Sequence, residues 1–507
     1  MNEKPKKIFH MISILLLFIS LVLAFPNQLR MDENRSIIKG NLTATIQPVA
    51  VVCTENPCFI KHNITITNGG SEAINIALYF KENEKYIFIA EVGKLEAQES
   101  AEFEIPMTYT YNGLTTDVGR YLLISDTYLA KEFTIAQSWE KYEKTTYEAI
   151  NIGAYVVAPI IALILLLILS LVVRDAEMRK YGKNNEYTDK TLFEFPYGKT
   201  MSEQIANALA NPALWSIILF FAILLVCIIT FSTYQNYDIL TKIEIIVISF
   251  VASLAIPLIL MILTWYADIY EREPLRFVAG MFVYGIFAAM VAFFINNLII
   301  YLLGKSADII PLALTTAIIS IIVSPIIEEF LKIFGLALFS RHHEFDDALD
   351  GLLYGFAIGI GFAMYENWFY FLASVDPIIT GIDVWISVIL YRSVFNTLAH
   401  GCFVAFAGVI LGYLKSRERY RAIYYFGLIP GIFLSILLHL IFNVTAYLDV
   451  VNVGGYRALV ASYNPVFVIA ISISFVIVYI IASIDTKKIK MKLEEKESIK
   501  NEQSFLP

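Results

Sequence analysis

Residues 320–339 read SIIVSPIIEEFLKIFGLALF, an apolar run that contains the charged side chains Glu328, Glu329 and Lys332. Together with the apolar residues upstream, from residue 311, the run exceeds the roughly 20 residues that a helix needs to cross a bilayer. On insertion scales each charge costs about 2.5 to 3.5 kcal/mol at the centre of a membrane helix. We therefore expect these charges to face a polar site inside a helix bundle.

The composition is that of an integral membrane protein of the cell membrane. Hydrophobic residues make up 57% of the 507 residues and charged residues only 17%, whereas about one quarter of an ordinary soluble domain is charged. No basic stripe suited to nucleic acid is present, so the expected surroundings are the lipid bilayer. We predict a mainly α, polytopic transmembrane helix bundle of about nine spans, near 152–173, 212–232, 243–264, 278–303, 311–339, 351–373, 383–413, 423–446 and 463–483.

The N-terminal part has a different texture. Lysines precede an apolar run in residues 1–27, which is typical of a signal peptide or an uncleaved signal anchor, and both stay open because no clear cleavage site follows. Residues 28–150 alternate polar and β-branched side chains between turn signals, which predicts a β-sandwich ectodomain. Cys53 and Cys58 allow a small disulfide loop in this segment. N-x-Ser/Thr sequons, compatible with an outside location, begin at Asn34, Asn41 and Asn63.

The distribution of Lys and Arg predicts one orientation for the whole chain. Basic clusters follow the first, third, seventh and last predicted spans, so these ends are cytoplasmic if the ectodomain is outside. The C-terminal tail is then cytoplasmic. The remaining predicted domains are leading spans at 151–264, a core at 265–447, and the last span with its tail at 448–507.

Further polar side chains lie at membrane depth, at Glu366, Asn367, Arg392, Asn396, His400, His439 and Asn443. Arg392, Asn396 and His400 form one polar stripe, because residues four apart share a helix face. His439 and Asn443 form a second stripe on another span. Several helices therefore each present a polar edge that is expected to point inward.

The acids of the opening stretch outnumber their cation. Glu328 and Lys332 have the i, i+4 spacing of a helical ion pair. Lys332 neutralises only one acid, which leaves the second glutamate available for chemistry. Pro325 lacks a backbone N–H and is expected to kink the helix just before the acids.

Two nearby segments have structural interpretations. The acidic and histidine-rich loop after this span does not have a known metal-ligand spacing, and we interpret it as a solvated loop; its residues are His342, His343, Glu344, Asp346 and Asp347. Gly351, Gly355 and Gly359 recur every four residues, which allows the sixth span to pack closely against a neighbour and to hold Glu366 in place.

The ordered motifs of residues 265–445 resemble the PrsW family of intramembrane proteases, which is similar to a wider group containing CAAX prenyl endopeptidases and bacteriocin-processing membrane proteins. The motifs are Trp265-Tyr266-Ala267-Asp268, Tyr270-Glu271-Arg272-Glu273-Pro274, Glu328-Glu329-Phe330-Leu331-Lys332, Phe345-Asp346-Asp347-Ala348-Leu349-Asp350-Gly351, Tyr354-Gly355, Gly361-Phe362-Ala363-Met364-Tyr365-Glu366-Asn367, Arg392, His400 and His439-Leu440-Ile441-Phe442-Asn443.

The resemblance implies a membrane-embedded peptidase that hydrolyses a peptide bond of a membrane protein or peptide, with regulated proteolysis of a signalling factor as one such role. It implies that Glu328 is the base that activates water, that Glu329 orients the machinery or shares the proton, and that His400 positions the water. His439 and Asn443 would bind the developing oxyanion. Spacing alone leaves open which glutamate is the base. Lys332, Glu366 and Arg392 are expected to support the site.

A metal and a metal-free mechanism both stay open. His400, His439 and Glu328 form a ligand set that suits zinc with an open position for water. No local ligand motif demands a metal, so a glutamate mechanism is equally compatible with the residues. Oligomeric state and substrate are not predicted.

Two other classes of function compete with a protease. A proton-coupled transporter or channel would also place acids and histidines in the membrane, but no inverted repeat of broken helices is found. A receptor or scaffold would leave the cost of the buried charges unexplained. For Asn367 and Asn396 a plain interhelical hydrogen bond is the alternative to a role in the site.

Overall fold

The computed structural model describes residues 42–48, 50–54, 57–82, 85–109, 116–125, 130–178, 200–235, 237–268, 272–304, 318–373, 375–450 and 463–504. The chain divides into two units, residues 1–141 and 142–507. The predicted signal segment 1–27 and the sequons at Asn34 and Asn41 lie outside the described residues.

The first unit contains two β-sheets. Their strands are β1 (Leu42–Gln47), β2 (Ala50–Cys53), β3 (Cys58–Asn68), β4 (Ile74–Glu82), β5 (Lys85–Leu95), β6 (Ser100–Tyr109), β7 (Thr116–Ser125) and β8 (Ala130–Trp139). One sheet has the order β1-β3-β6 and the other β2-β8-β7-β4-β5. Neighbouring strands are antiparallel except β2 and β8, which are parallel. The predicted β-rich region is therefore present.

Strand β3 shows why this segment folds as a half-buried sheet. Ile64 and Ile66 are fully buried, whereas Asn63 and Thr65, which alternate with them, are exposed. This alternation places every second side chain in the core. Between β2 and β3 a disulfide joins Cys53 to Cys58, with 5.6 Å between their Cα atoms.

The second unit is helical. Its helices are α1 (Glu140–Ile152), α2 (Ala158–Met178), α3 (Met201–Leu209), α4 (Pro212–Thr233), α5 (Ile239–Ala267), α6 (Leu275–Gly304), α7 (Ser324–Phe339), α8 (Ala348–Ala373), α9 (Pro377–Thr380), α10 (Ile382–Tyr391), α11 (Thr397–Lys415), α12 (Leu428–Val450) and α13 (Tyr463–Ser504). Short π-helical turns precede α2, α7 and α11, at Gly153–Val157, Ile319–Val323 and Arg392–Asn396, and a 3₁₀ turn, Tyr424–Gly427, precedes α12.

Local sequence sets several helix starts. Asn211 caps α4, since its side chain accepts a hydrogen bond from the backbone N–H of Ala213 (2.8 Å) and Pro212 follows at the first helical position. Asp238 caps α5 in the same way and accepts from the N–H of Leu240 (2.8 Å). These caps satisfy backbone donors that the helix leaves unpaired.

Eight helices of the described residues are long and apolar enough to cross a membrane, so the chain is a multi-pass membrane protein. They correspond to eight of the nine predicted spans. The ninth, predicted at 311–339, corresponds to α7 and the π turn before it, and its first part lies outside the described residues.

Helix α8 lies at the centre of the helical unit and packs against α11, α6 and α5. A methyl group built on Gly351, Gly355 or Gly359 would lie 2.0 to 2.6 Å from backbone oxygens of α11. For Gly359 that oxygen belongs to His400, at 2.1 Å. The predicted glycine packing face is confirmed, and it fixes α8 against the helix that carries His400.

Candidate active site

Glu329 is a fully enclosed residue of the predicted site. Its carboxylate accepts hydrogen bonds from Lys332 Nζ (2.7 Å), Ser435 Oγ (2.5 Å) and His439 Nδ1 (2.8 Å). The residue has no exposed surface. With three donors and no solvent contact, this carboxylate is fully engaged in holding α7 to α12.

Glu328 is differently placed although it is the next residue. Its Oε1 accepts from Ser324 Oγ (2.8 Å), whereas Oε2 lies 3.8 Å from His439 Nε2 and 4.0 Å from Lys332 Nζ. The ion pair predicted from the i, i+4 spacing is thus present only at this longer distance. The short contact of Lys332 goes to Glu329, which leaves Glu328 Oε2 available.

His400 lies between a cation and an acid. Lys332 Nζ donates to His400 Nδ1 (2.6 Å). On the other side of the ring, Nε2 is 3.1 Å from Glu366 Oε2 but lacks the alignment of a full hydrogen bond with any described residue. His400 and His439 are both at least 97% buried, and their ring centroids are 4.8 Å apart. We call the group of Glu328, Glu329, Lys332, His400 and His439 the Glu-His cluster.

The predicted polar stripe converges on Glu366 of α8. Arg392 Nη2 donates to its Oε1 (2.8 Å) and Asn396 Nδ2 donates to its Oε2 (3.2 Å), beside His400. Asn367 Oδ1 also accepts from Asn396 Nδ2 (2.9 Å). Arg392, Asn396 and His400 therefore share a face, and all three meet one carboxylate. The interhelical hydrogen bonds considered for Asn367 and Asn396 are also present.

Aromatic rings enclose the imidazoles. Phe362 stacks on His400 with centroids 5.4 Å apart, and Phe403 stacks on His439 at 5.2 Å. Lys332 Nζ lies 3.8 Å from the Phe362 ring centroid. Such apolar walls lower the local dielectric and strengthen each electrostatic contact inside the cluster.

Asn443 lies apart from the hydrogen bonds of the cluster. Its Nδ2 donates to the carbonyl oxygen of Ser320 (2.8 Å), in the π turn that precedes α7. Pro325 stands in the first turn of α7, directly after this π turn. The backbone distortion expected at Pro325 is therefore found as a π turn just before it. The Ser320 carbonyl of this turn accepts its hydrogen bond from Asn443 of α12.

The residues present fit a bound divalent metal. Glu328, His400 and His439 each offer one ligand atom, and these atoms lie within 4.8 Å of one another. Glu329 holds His439 Nδ1, the carboxylate contact that orients metal-ligating histidines. His400 Nε2 is buried without an aligned partner among the described residues. His439 is the better prepared ligand, because His400 Nδ1 faces a lysine instead of an acceptor.

The loop after α7 is more buried than the sequence predicted. His342 and Asp347 are 1% and 6% exposed, so the interpretation as a solvated loop is wrong for these two residues. Lys415 Nζ donates to the carbonyl oxygens of Ser340 and His342, both at 2.8 Å, and fixes the loop against α11. Burial lowers the pKa of His342 to about 3.

Three residues of the site were missed from sequence. Ser435 contacts Glu329, Ser324 contacts Glu328, and Asn296 of α6 donates to Ser324. Ser435 precedes His439 by four residues and Ser324 precedes Glu328 by four, so the helical spacing was available as a signal. Asn296 had no such signal, since its partner is 28 residues away.

The helical unit is similar to known membrane proteases. The model of the family described as PrsW family intramembrane metalloprotease matches residues 273–478, a range that contains the whole Glu-His cluster. Residues 273–478 are therefore similar to the PrsW family. The remaining 301 residues of the chain, among them both sheets and α1 to α5, lie outside this match.

Several relatives that match part of the chain are named Protease PrsW. The chain is 30% identical over 158 residues to that of Geobacillus kaustophilus (strain HTA426), covering 31% of this chain and 62% of that protein. The protein of Halalkalibacterium halodurans is 31% identical over 117 residues, which cover 23% of this chain and 48% of that protein. The protein of Shouchella clausii (strain KSM-K16) is 26% identical over 238 residues, which cover 47% of this chain and 94% of that protein. The chain thus spans less than two thirds of the length of the first two relatives.

Proposed function

We propose that this chain is an intramembrane protease that hydrolyses a peptide bond of a membrane protein or peptide within the bilayer. The observation that carries the proposal is the convergence of two glutamates and two histidines from three membrane helices, with Glu328 Oε2 3.8 Å from His439 Nε2. The PrsW family match supports the same activity. It does not favour a transporter or a scaffold.

Glu328 is the general base of this proposal. Its Oε2 has no contact shorter than 3.8 Å to the Glu-His cluster, so it has room to accept a proton from water. Glu329 is unsuited to that task, because both of its oxygens already accept hydrogen bonds, from Lys332, Ser435 and His439. Its role is to position His439.

The reaction follows from these positions. Glu328 takes a proton from water, the resulting hydroxide adds to the carbonyl carbon of the scissile bond, and a tetrahedral oxyanion forms. His439 Nε2 faces Glu328 across the cluster. Because Nδ1–H is held by Glu329, Nε2 donates to this oxyanion when both ring nitrogens carry a proton. When the C–N bond breaks, Glu328 returns its proton to the leaving amine. His400, between Lys332 and Glu366, positions the water.

Asn443 would join this machinery only after a change of partner. Its amide donates to Ser320 in the structure, 2.8 Å away. We propose that substrate takes the place of the Ser320 carbonyl, so that Asn443 becomes a second oxyanion donor.

Glu328, His400 and His439 would hold the metal that the family description names, and zinc suits two histidines with one carboxylate. A bound metal would lower the pKa of the attacking water and polarise the carbonyl. Glu329 acts in the same way in either mechanism, since it orients His439 through Nδ1. With a metal on His400 Nε2, the Nδ1 atom would keep its proton, so Lys332 would no longer donate to it as it does in the structure.

We further propose the architecture around this site. The two sheets form a β-sandwich outside the cell that recruits substrate, and the disulfide of Cys53 and Cys58 suits that oxidising location. Residues 311–339 supply a ninth span. The basic residues after α2, α5, α11 and within α13 place the C-terminal tail in the cytoplasm. We also propose that the chain is related to the wider group that contains CAAX prenyl endopeptidases and bacteriocin-processing membrane proteins.

The test is cleavage of candidate single-span proteins by the purified chain in lipid vesicles. Wild type is compared with Glu328→Gln, and with Glu244→Gln as a matched control, since Glu244 is a buried glutamate of α5 outside the cluster. We expect cleavage by wild type and by the control, and none by Glu328→Gln. Equal cleavage by all three would refute the assigned site.

A further inference from the structure

A chain of hydrogen bonds connects α6 to Glu328. Asn296 Nδ2 donates to Ser324 Oγ (2.5 Å), and Ser324 Oγ donates to Glu328 Oε1 (2.8 Å). Ser324 and Glu328 are four residues apart on one face of α7, whereas Asn296 comes from the neighbouring helix. No other described residue makes a hydrogen bond to Glu328 Oε1 in the structure.

The chemistry of the three groups fixes the direction of this chain. An ionised carboxylate only accepts hydrogen bonds, so the single hydroxyl proton of Ser324 is used on Glu328. The serine oxygen must then accept, and the only donor of an asparagine side chain is its amide nitrogen. The orientation of the Asn296 amide therefore follows from Glu328, and exchanging its nitrogen and oxygen would break the chain.

We propose that Ser324 and Asn296 are positioning residues for the reaction, which act through Glu328 and touch no substrate. The proposal rests on the proposed function of Glu328 as base. With Oε1 held by Ser324, the carboxylate is fixed so that Oε2 is the oxygen directed at His439 Nε2 and Lys332 Nζ. Asn296 holds the Ser324 hydroxyl in the rotamer that serves Glu328.

The physical need for such a device is specific to Glu328. A glutamate side chain has three rotatable bonds, and a catalytic group displaced by 1 Å loses much of its rate advantage. Glu329 is held by three donors from α7 and α12. Among the described residues, only the Ser324 hydroxyl donates a hydrogen bond to Glu328, so the loss of this hydroxyl frees its carboxylate.

The test measures kcat and KM in vesicles on a quenched fluorescent single-span peptide, chosen because wild type cleaves it and Glu328→Gln does not. Ser324→Ala should lower kcat about tenfold with KM nearly unchanged, since substrate binding does not involve the hydroxyl. Ser324→Thr keeps the hydroxyl and should recover most of the rate. Asn296→Ala should lower kcat less, about threefold, because Ser324 still donates.

The double variant gives the sharpest signature. If Asn296 acts only through Ser324, then Asn296→Ala in the Ser324→Ala background has no further effect on kcat. If the two substitutions instead lower kcat by independent factors that multiply, Asn296 does not act through Ser324 and the proposal is overturned. Matched controls are Asn297→Ala, whose side chain donates only to the Phe293 carbonyl, and Ser474→Ala, an exposed serine of α13. Both should cleave as wild type does.

A structure of Ser324→Ala by electron cryomicroscopy tests the proposal without a substrate. We expect the Glu328 carboxylate to leave its position beside residue 324, whereas an unmoved carboxylate would overturn the proposal. The two proposals also fail differently. If Glu328→Gln cleaves as well as wild type, the proposed function fails; if only Glu328→Gln is inactive and Ser324→Ala keeps the wild-type kcat, the positioning role alone fails.

Discussion

Two groups of buried acids in the described part of the helical unit differ in what surrounds them. In the Glu-His cluster, two acids meet a lysine and two imidazoles supplied by α7, α11 and α12. At the ends of α5, α6 and α8, Asp268, Glu273 and Asp350 place carboxylate oxygens within 4.8 Å of one another, and we call them the rim acid group. Both groups are buried, so burial of acids by itself does not identify a reactive site.

The partners of the rim acid group are those of a structural contact. Asp350 Oδ2 accepts from the backbone N–H of Asp346 and Asp347, at 2.8 and 2.9 Å. Tyr354 donates to Glu273 Oε2 (2.5 Å), and the Glu273 carbonyl accepts from Trp265 Nε1 (2.8 Å). These bonds join the loop before α6 to α8 and α5. In the Glu-His cluster, by contrast, Glu328 Oε2 has no donor at hydrogen-bond distance among the residues that the structure describes.

The largest expected effect is therefore confined to the Glu-His cluster. Glu328→Gln should lower the rate of peptide cleavage at least about a thousandfold, which is within the range for loss of a general base. Glu273→Gln, an equally buried carboxylate of the rim acid group, should lower it by no more than about threefold. Initial rates in vesicles give both numbers, and similar losses in the two variants would remove the distinction between the groups.

Metal removal should have the next largest effect. If Glu328, His400 and His439 hold a metal, chelation should lower cleavage at least about a hundredfold and added zinc should restore it. The metal content of the purified protein should fall in His439→Ala and stay at the wild-type level in Glu273→Gln. Elemental analysis of detergent-purified protein measures this directly. Full activity after chelation, in metal-free protein, would favour the glutamate mechanism.

Disruption of the close packing between α8 and α11 should have a smaller effect, which is on stability. In Gly359→Ala the new methyl would lie 2.1 Å from the carbonyl oxygen of His400, so α8 and α11 must move apart. We expect a loss of about 1 to 3 kcal/mol in the free energy of unfolding, seen as a lower unfolding temperature. Gly153→Ala is the matched control, because its methyl meets only the end of the Ile248 side chain, at 2.9 Å. Equal stability of the two variants would contradict the assigned packing.

The comparison also shows what the sequence predicted and why the rest escaped it. Hydropathy located eight spans, and helical spacing brought Arg392, Asn396 and His400 to one face, because both depend on residues close in sequence. The donors to the two glutamates depend on contacts between helices. Ser435 is 106 residues from Glu329, and a serine in a membrane span bonds more often to its own helix.

The shorter contact of Lys332 with Glu329 than with Glu328 was missed for the same reason. Its spacing to Glu328 is the better one in an isolated helix, yet Nζ turns to Glu329 and to His400 of α11. The burial of His342 follows from Lys415, which is 73 residues away and donates to the loop carbonyl. Local sequence identifies neither His400 as a partner of Lys332 nor Lys415 as a partner of the loop. Both residues lie on α11, which only the folded bundle brings near.

The smallest expected effect is a pH dependence of stability at the rim acid group. Burial, together with the nearby Asp350 carboxylate, raises the pKa of Glu273 well above its ordinary value. The folded protein then holds a proton that the unfolded chain releases, so this contribution to stability is full below the unfolded pKa and is lost as pH rises through the folded pKa. Glu273→Gln cannot release that proton. Its unfolding temperature relative to wild type should therefore increase between about pH 5 and about pH 8. Glu418→Gln, which removes an exposed carboxylate, is the control for the loss of one negative charge. A difference that stays constant with pH, or that matches the control, would mean that Glu273 is ionised in the folded protein, and the rim acid group would then resemble the Glu-His cluster more closely than its contacts indicate.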